Sequence, residues 1–357
     1  MAYASISKPS LYFNGKTWTG TGASNSLTGI GFRPDWVWIK HREDVSNHRL
    51  FDSTRGANKN LKSNDTQAEI TASDQLMSFD SDGFTVGADA SVNGAGAAGV
   101  VAWCWKANAG TTSADSNGSI SSVVQADTTA GFSIVKYTGT GSNATVGHGL
   151  GAVPGMILFK CTNDAQNWRV YHKGMDTSAP EDYALILNNS NTRDDDNTAF
   201  NDTAATTTTF GLGTTATINQ NGNIHIAYAF AEKKGYSKFS SYTGNGSSDG
   251  PFVYTGFKPA WVMGKISAGS ANNWFIFDTT RDTHNLTQRK LRPDTTAAEN
   301  NNSSKAIDIY SNGFKIKNND GEFNTNNSTY IYAAFAEEPL VVNVGANVGQ
   351  GVPATAR

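Results

Sequence analysis

The chain has 357 residues, 38 percent of them apolar and 11 percent aromatic, which is enough to furnish more than one hydrophobic core. A formal net charge of -3 offers no excess of Lys and Arg for binding phosphates, so no nucleic-acid partner is expected. Only 17 percent of residues are charged and 36 are glycine, a bias toward short strands and turns and away from helices.

The opening residues, MAYASISKPSLYF, lack a basic segment followed by an apolar stretch, so no secretory signal is expected. No apolar run approaches the roughly 18 residues of a membrane span, so no membrane insertion is expected. Cys104 and Cys161 fall in apolar runs without CxxC spacing and read as small hydrophobes, not as a zinc site or a disulfide framework.

From residue 8 the chain presents WTGTG (18–22), the decamer GFRPDWVWIK (31–40), FDSTRG (51–56), LKSNDTQAE (61–69), DGFTV (82–86) and VVAWCWKA (100–107). These are β-rich runs separated by Gly, Asn, Asp and Ser, with a turn or two of helix expected near 64–77. The series then recurs at intervals of about 100 residues. YTGTG (137–141), GAVPGMILFK (151–160) and HIAYAFAE (225–232) form a second copy, in which NWRVYHKGM (167–175) stands in the middle. YTGNG (242–246), GFKPAWVMGK (256–265), FDTTRD (277–282), LRPDTTAAE (291–299), NGFKI (312–316) and YIYAAFAE (330–337) form a third. In every copy a lysine follows the proline by six residues: Lys40, Lys160 and Lys265.

The fold class this implies is all-β, with three tandem antiparallel β-sandwich domains of the concanavalin-like or jelly-roll kind. The expected domains are 8–110, 131–234 and 235–340; 111–130 reads as a linker or connecting hairpin, and 341–357 as an extended tail. The near absence of a spacer around AEKKGYSKF predicts tighter coupling of the last two domains than of the first two.

Strand alternation sets Trp36 and Trp38 on one face and Asp35, Val37 and Ile39 on the other. Met156 and Leu158 occupy the tryptophan positions in the second copy, which favours core packing over a sugar-stacking platform. Asp35 has no acidic counterpart and is either solvent-facing or private to the first copy. Asp52 with Arg55, and Asp278 with Arg281, share an i, i+3 spacing and read as salt bridges pinning a turn.

Trp168 and Trp274, each preceded by Asn (Asn167, Asn273), stand outside the repeated strands and are the candidate ligand-binding residues, although their equivalent places in two copies favour a structural role. Any ligand is expected at the loops that differ between copies, 41–50, 161–182, 190–206 and 266–275. The acidic run holding Asp194, Asp195, Asp196 and Asp202 lacks the glycine and closing glutamate of a calcium loop and reads as solvated. NNDGE (318–322) reads as a turn, and His148 in GHGLG as a surface residue. No catalytic constellation, metal site or cofactor motif emerges, and no enzymatic activity is expected.

The set TGTG, GF[RK]PxWV, FD[ST]TRG, [DN]GF and YAAFAE, with an ending in VPATAR, resembles a repeat domain of tailed bacteriophages, especially those of marine bacteria and cyanobacteria. There it occurs in virion proteins labelled tail fibre or tail protein. The resemblance implies a lectin-like β-sandwich on the virion surface, made in the host cytoplasm, with other virion proteins as partners. By analogy with fibres it implies a homotrimer. The leading expectation is an adhesin contacting host surface polysaccharide, followed by a capsid or tail decoration protein with no host ligand, and then a polysaccharide depolymerase. A first repeat starting so near Met1, without an attachment region or shaft, leaves room for the decoration reading.

Overall fold

A computed structural model describes residues 4–96 and 99–339; the tail expected at 341–357 lies outside the described residues. The chain is all-β, and its α-helices, Ala90–Asn93, Asn197–Phe200 and Ala216–Asn219, are single turns. Among the described residues no helix is long and apolar enough to cross a membrane.

Each repeat folds as a unit with a large inner sheet and a small outer one. In unit I the inner sheet runs Phe13–Trp18, Val100–Trp105, Trp36–His41, Arg49–Asp52, and the outer sheet Asn25–Thr28, Gly83–Val86, Leu76–Asp80. Unit III repeats this with Ser237–Thr243, Thr329–Pro339, Phe257–Ala268, Phe275–Asp278 inside and Phe252–Tyr254, Gly313–Ile316, Ile307–Tyr310 outside. Unit II has an eight-stranded inner sheet and pairs Ala144–Gly147 with Thr209–Leu212 outside. All of these pairings are antiparallel.

The recurring glycine of DGF and NGF has a steric cause. A Cβ at Gly83 would lie 1.8 Å from the Leu27 carbonyl oxygen, and one at Gly313 would lie 2.2 Å from that of Val253. Only glycine lets the neighbouring strand approach so closely.

Residues 111–130 are not a free linker. Ser113–Asp115 and Ser122–Asp127 form a hairpin that extends the inner sheet of unit II. Gln125 Oε1 on that hairpin accepts from Ser53 Oγ at 3.0 Å and Thr54 Oγ1 at 2.8 Å, so it also docks on unit I. The helix expected near 64–77 does not form. That segment runs along a junction, where Glu69 N–H donates to Thr162 O of unit II at 2.7 Å, and then pairs as a short strand, Ile70–Thr71, with Lys59–Asn60.

Each unit has its own apolar core between its two sheets. In unit I it includes Val37, Ile39, Phe51, Phe84 and Cys104; units II and III have equivalent cores around Ile157 and Phe159 and around Val262 and Phe314. The opposite face of every inner sheet is apolar as well. Trp36, Trp38, Trp103 and Trp105 join Met156, Leu158, Tyr228 and Phe230 and Trp261, Met263 and Phe335 in one cluster shared by all three units. At its centre the equivalent residues Trp105, Phe230 and Phe335 form a triangle with ring centroids 6.4, 5.6 and 5.6 Å apart. The units are thus disposed about an approximate threefold axis, and the alternation of GFRPDWVWIK separates two buried faces, not a buried and an exposed one.

Trp105→Ala opens a cavity on the axis and should cost about 3–5 kcal/mol in urea unfolding. Trp105→Phe should cost less than about 1.5 kcal/mol, because units II and III carry Phe there. It also removes a buried indole N–H that has no hydrogen-bond partner.

Candidate functional site

Trp168 and Trp274 are buried, and neither is available to a ligand. The Trp168 indole N–H donates across a junction to Lys62 O of unit I at 2.7 Å, and that of Trp274 donates to Ile186 O of unit II at 3.0 Å. His48 holds the same place in unit I, its Nε2 lying 2.9 Å from Arg292 O of unit III. The preceding asparagines are used within their own units: Asn167 Oδ1 accepts from Asn188 and Asn273 Nδ2 donates to Asp294, each at 2.8 Å. All four residues hold the body together. The physical reason is that a ring with one N–H fills apolar volume while satisfying one carbonyl at the seam.

The loops expected to differ for a ligand's sake are these seams. A backbone bond closes each one: Glu69 N–H to Thr162 O at 2.7 Å, Arg193 N–H to Ser267 O at 3.0 Å, and Glu299 N–H to Arg42 O at 2.6 Å. The recurring contacts run from unit I to II, II to III and III to I. Coupling is therefore shared among all three pairs and is not concentrated in the last two units.

The side chains of all three repeated lysines are buried. Lys160 Nζ donates to Thr66 O of unit I at 3.1 Å, and Lys265 Nζ to Ser190 O of unit II at 3.0 Å. Lys40 Nζ donates to His41 O at 2.5 Å and Asp44 O at 3.2 Å in its own unit. Burial pushes all three ammonium groups from 10.5 down to about 8.

Asp52 and Arg55 are paired, with Nε 2.5 Å from the carboxylate; Asp278 and Arg281 are paired at 2.6 Å. Glu69 and Glu299 add second carboxylates at 3.1 and 2.9 Å. The turn residue is also reached from the next unit. Tyr228 Oη donates to Asp52 at 2.7 Å and Trp103 Nε1 to Asp278 at 3.0 Å. In unit II the acid is replaced by His172, whose Nε2 lies 3.0 Å from Tyr332 O. Burial opposes the charge on Arg55, but Asp52, Tyr228 and Glu69 outweigh it and raise its pKa. Burial holds His172 down at about 3, so this third corner is neutral.

Asp35 is buried and private to unit I: its carboxylate accepts from the N–H groups of Ala107, Ala109 and Gly110 at 2.8–2.9 Å, fixing the exit from that unit. His148 is buried, not on the surface, and its ring stacks on Phe210 at 6.3 Å. In the acidic run, Asp196 binds Arg169 at 2.9 Å and caps the turn at Thr198, while Asp194 and Asp195 pair with the strand at Tyr183. Glu322, from the turn NNDGE, is buried against Lys290 and Arg292. Among the described residues no group of three or more His, Cys, Asp or Glu is arranged to hold a metal ion. Among the described residues the large exposed aromatics, Phe252, Tyr254 and Tyr310, lie elsewhere, on the outer sheet of unit III.

These features define an all-β protein of three repeated units fastened about a shared apolar core. The chain belongs to the family DUF7483, a domain of unknown function, whose match runs over residues 8–339. That match runs across all three repeats. No curated protein and no solved structure matches the chain.

Asp278→Ala would strip a buried guanidinium of its nearest acid and should cost about 3 kcal/mol or more, against less than about 1 kcal/mol for removing the exposed partner in Lys173–Glu232. The pH profile should show two rising windows. Between about 8 and 10.5 the unfolded chain holds lysine protons that the folded chain has released, so the midpoint of thermal unfolding should rise with pH from 8 toward 9.5. Burial likewise lowers His48, sets His172 at about 3 and His225 at about 4, against 6.5 unfolded, so stability should fall as pH drops from 6.5 to 4. Asp294, raised by burial to about 6, opposes this as a single group.

Proposed function

We propose that the protein is a structural component of a tailed-phage virion surface, a part of a tail fibre or spike that presents a rigid body to host surface glycans. What carries this reading is where the repeated polar residues are spent. Lys160, Lys265, the ring N–H donors of Trp168 and Trp274, and the bonds from Tyr228 to Asp52 and from Trp103 to Asp278 all fasten one unit to the next. That is the economy of a part that must keep its shape, and it accords with the phage resemblance of the repeated motifs. In this reading the fixed partners are other virion proteins, with three chains assembling as fibres do, and weak glycan contacts are multiplied by copy number.

A second reading, a capsid or tail decoration protein with no host ligand, is favoured by the threefold disposition of the units. A single chain would present three similarly placed outer sheets to a threefold site. Electron microscopy of virions labelled with antibody to this chain separates the two. Label at the tail tip supports the fibre reading, and label over the capsid lattice contradicts it.

A further inference from the structure

The units differ sharply on the exposed side of their outer sheets. In unit I one row across the sheet is Thr28, Gly83, Asp80 and the next is Ser26, Thr85, Ser78. These small polar groups satisfy one another: Ser26 and Thr85 hydroxyls lie 2.9 Å apart, and Asp80 accepts from Thr85 and Ser78 at 2.7 Å each. In unit II Thr145 faces Gly211. In unit III the same rows read Tyr254, Gly313, Tyr310 and Phe252, Lys315, Asp308.

The fold therefore does not require aromatics at these positions, yet unit III exposes three together, Tyr254 at 59 percent, Phe252 at 46 percent and Tyr310 at 41 percent. Phe252 leans across the bare Gly313 to meet Tyr310 edge-on at 5.8 Å. Polar groups border the rings: Lys315 Nζ is 2.7 Å from Asp249, and Lys317 Nζ is 3.8 Å from Asp308. Beside Tyr254 opens a cavity of about 190 Å³, lined also by Glu232, Ser237, Lys238 and Thr255.

We infer that this face binds a neutral polysaccharide, with pyranose rings laid on Phe252, Tyr254 and Tyr310 and hydroxyls meeting Asp308, Lys315 and the cavity beside Tyr254. The chemistry selects this ligand. A pyranose has an apolar C–H face that fits an aromatic ring and a rim of hydroxyls that needs donors and acceptors of both kinds. The charges bordering the rings pair with one another, Lys315 with Asp249 and Lys317 with Asp308. A second copy of the chain fits less well. Three rings near half exposure offer roughly 300 Å², against about 800 Å² per partner in a stable interface.

The inference rests on the host-glycan reading above, and its test keeps the two apart. The full chain is run through native gels cast with soluble β-glucan, mannan or dextran, and with alginate as an anionic polysaccharide. Retardation in at least one neutral gel is expected. Tyr254→Ala/Tyr310→Ala should weaken it at least tenfold with an unchanged thermal midpoint, while Ser26→Ala/Thr28→Ala in unit I should not. Undiminished retardation of the tyrosine variant would overturn this site and leave the glycan reading standing, as would retardation by alginate alone. Retardation in no gel would overturn both. A wild-type dimer that the tyrosine variant converts to monomer, seen by light scattering, would assign the face to self-association and overturn the inference.

Discussion

The inner sheets are apolar on both faces, and the rest of the structure follows from that. A two-sheet unit of about 100 residues can cover one face of its large sheet with its small one, but the other face needs partners. In unit I that second face carries Trp36, Trp38, Trp103 and Trp105, and leaving it in water would expose far more apolar surface than a stable monomeric protein shows. Three units closed about an axis cover one another's second faces and leave no end uncapped. Linear repeat proteins, by contrast, need polar terminal repeats.

Closure sets a further problem, because the loops at the seams carry backbone groups that lose water. The sequence answers with side chains that donate to those carbonyls. Lys160 and Lys265 reach a carbonyl of the preceding unit, as do Trp168 and Trp274. The solution is not perfectly regular. The buried indole N–H groups of Trp36, Trp105 and Trp261 find no acceptor, each costing about 1–3 kcal/mol against the volume the ring fills. Where unit II lacks the acid–arginine turn, a neutral His172 bonds directly to a backbone carbonyl, so two charged corners and one uncharged corner surround the same core.

Much of this fold was legible in the sequence because the repeat was. Tandem copies, strand alternation in GFRPDWVWIK and the pairing of Asp52 with Arg55 are local or periodic signals. What could not be read was how the copies meet. A strand buried on both faces shows no polar alternation, so the burial of its second face left no trace in its pattern. The polar neighbours of Trp168 and Trp274 make them candidates for a ligand and their equivalent places favour a structural role; such neighbours are also what a seam between units requires. The aromatic face of unit III was recoverable in principle. Aligning NSLT (25–28) with PFVY (251–254) through DGF and NGF sets Ser26 opposite Phe252 and Thr28 opposite Tyr254, a substitution of small polar groups by rings that no core demands.

The central claim is that the three units share one core and so fold as one body. Differential scanning calorimetry of the intact chain tests it most directly. A single transition, with calorimetric and van't Hoff enthalpies in agreement, is the result the shared core predicts. Separable transitions, each with the enthalpy of one unit, would show that the units fold independently and would contradict it.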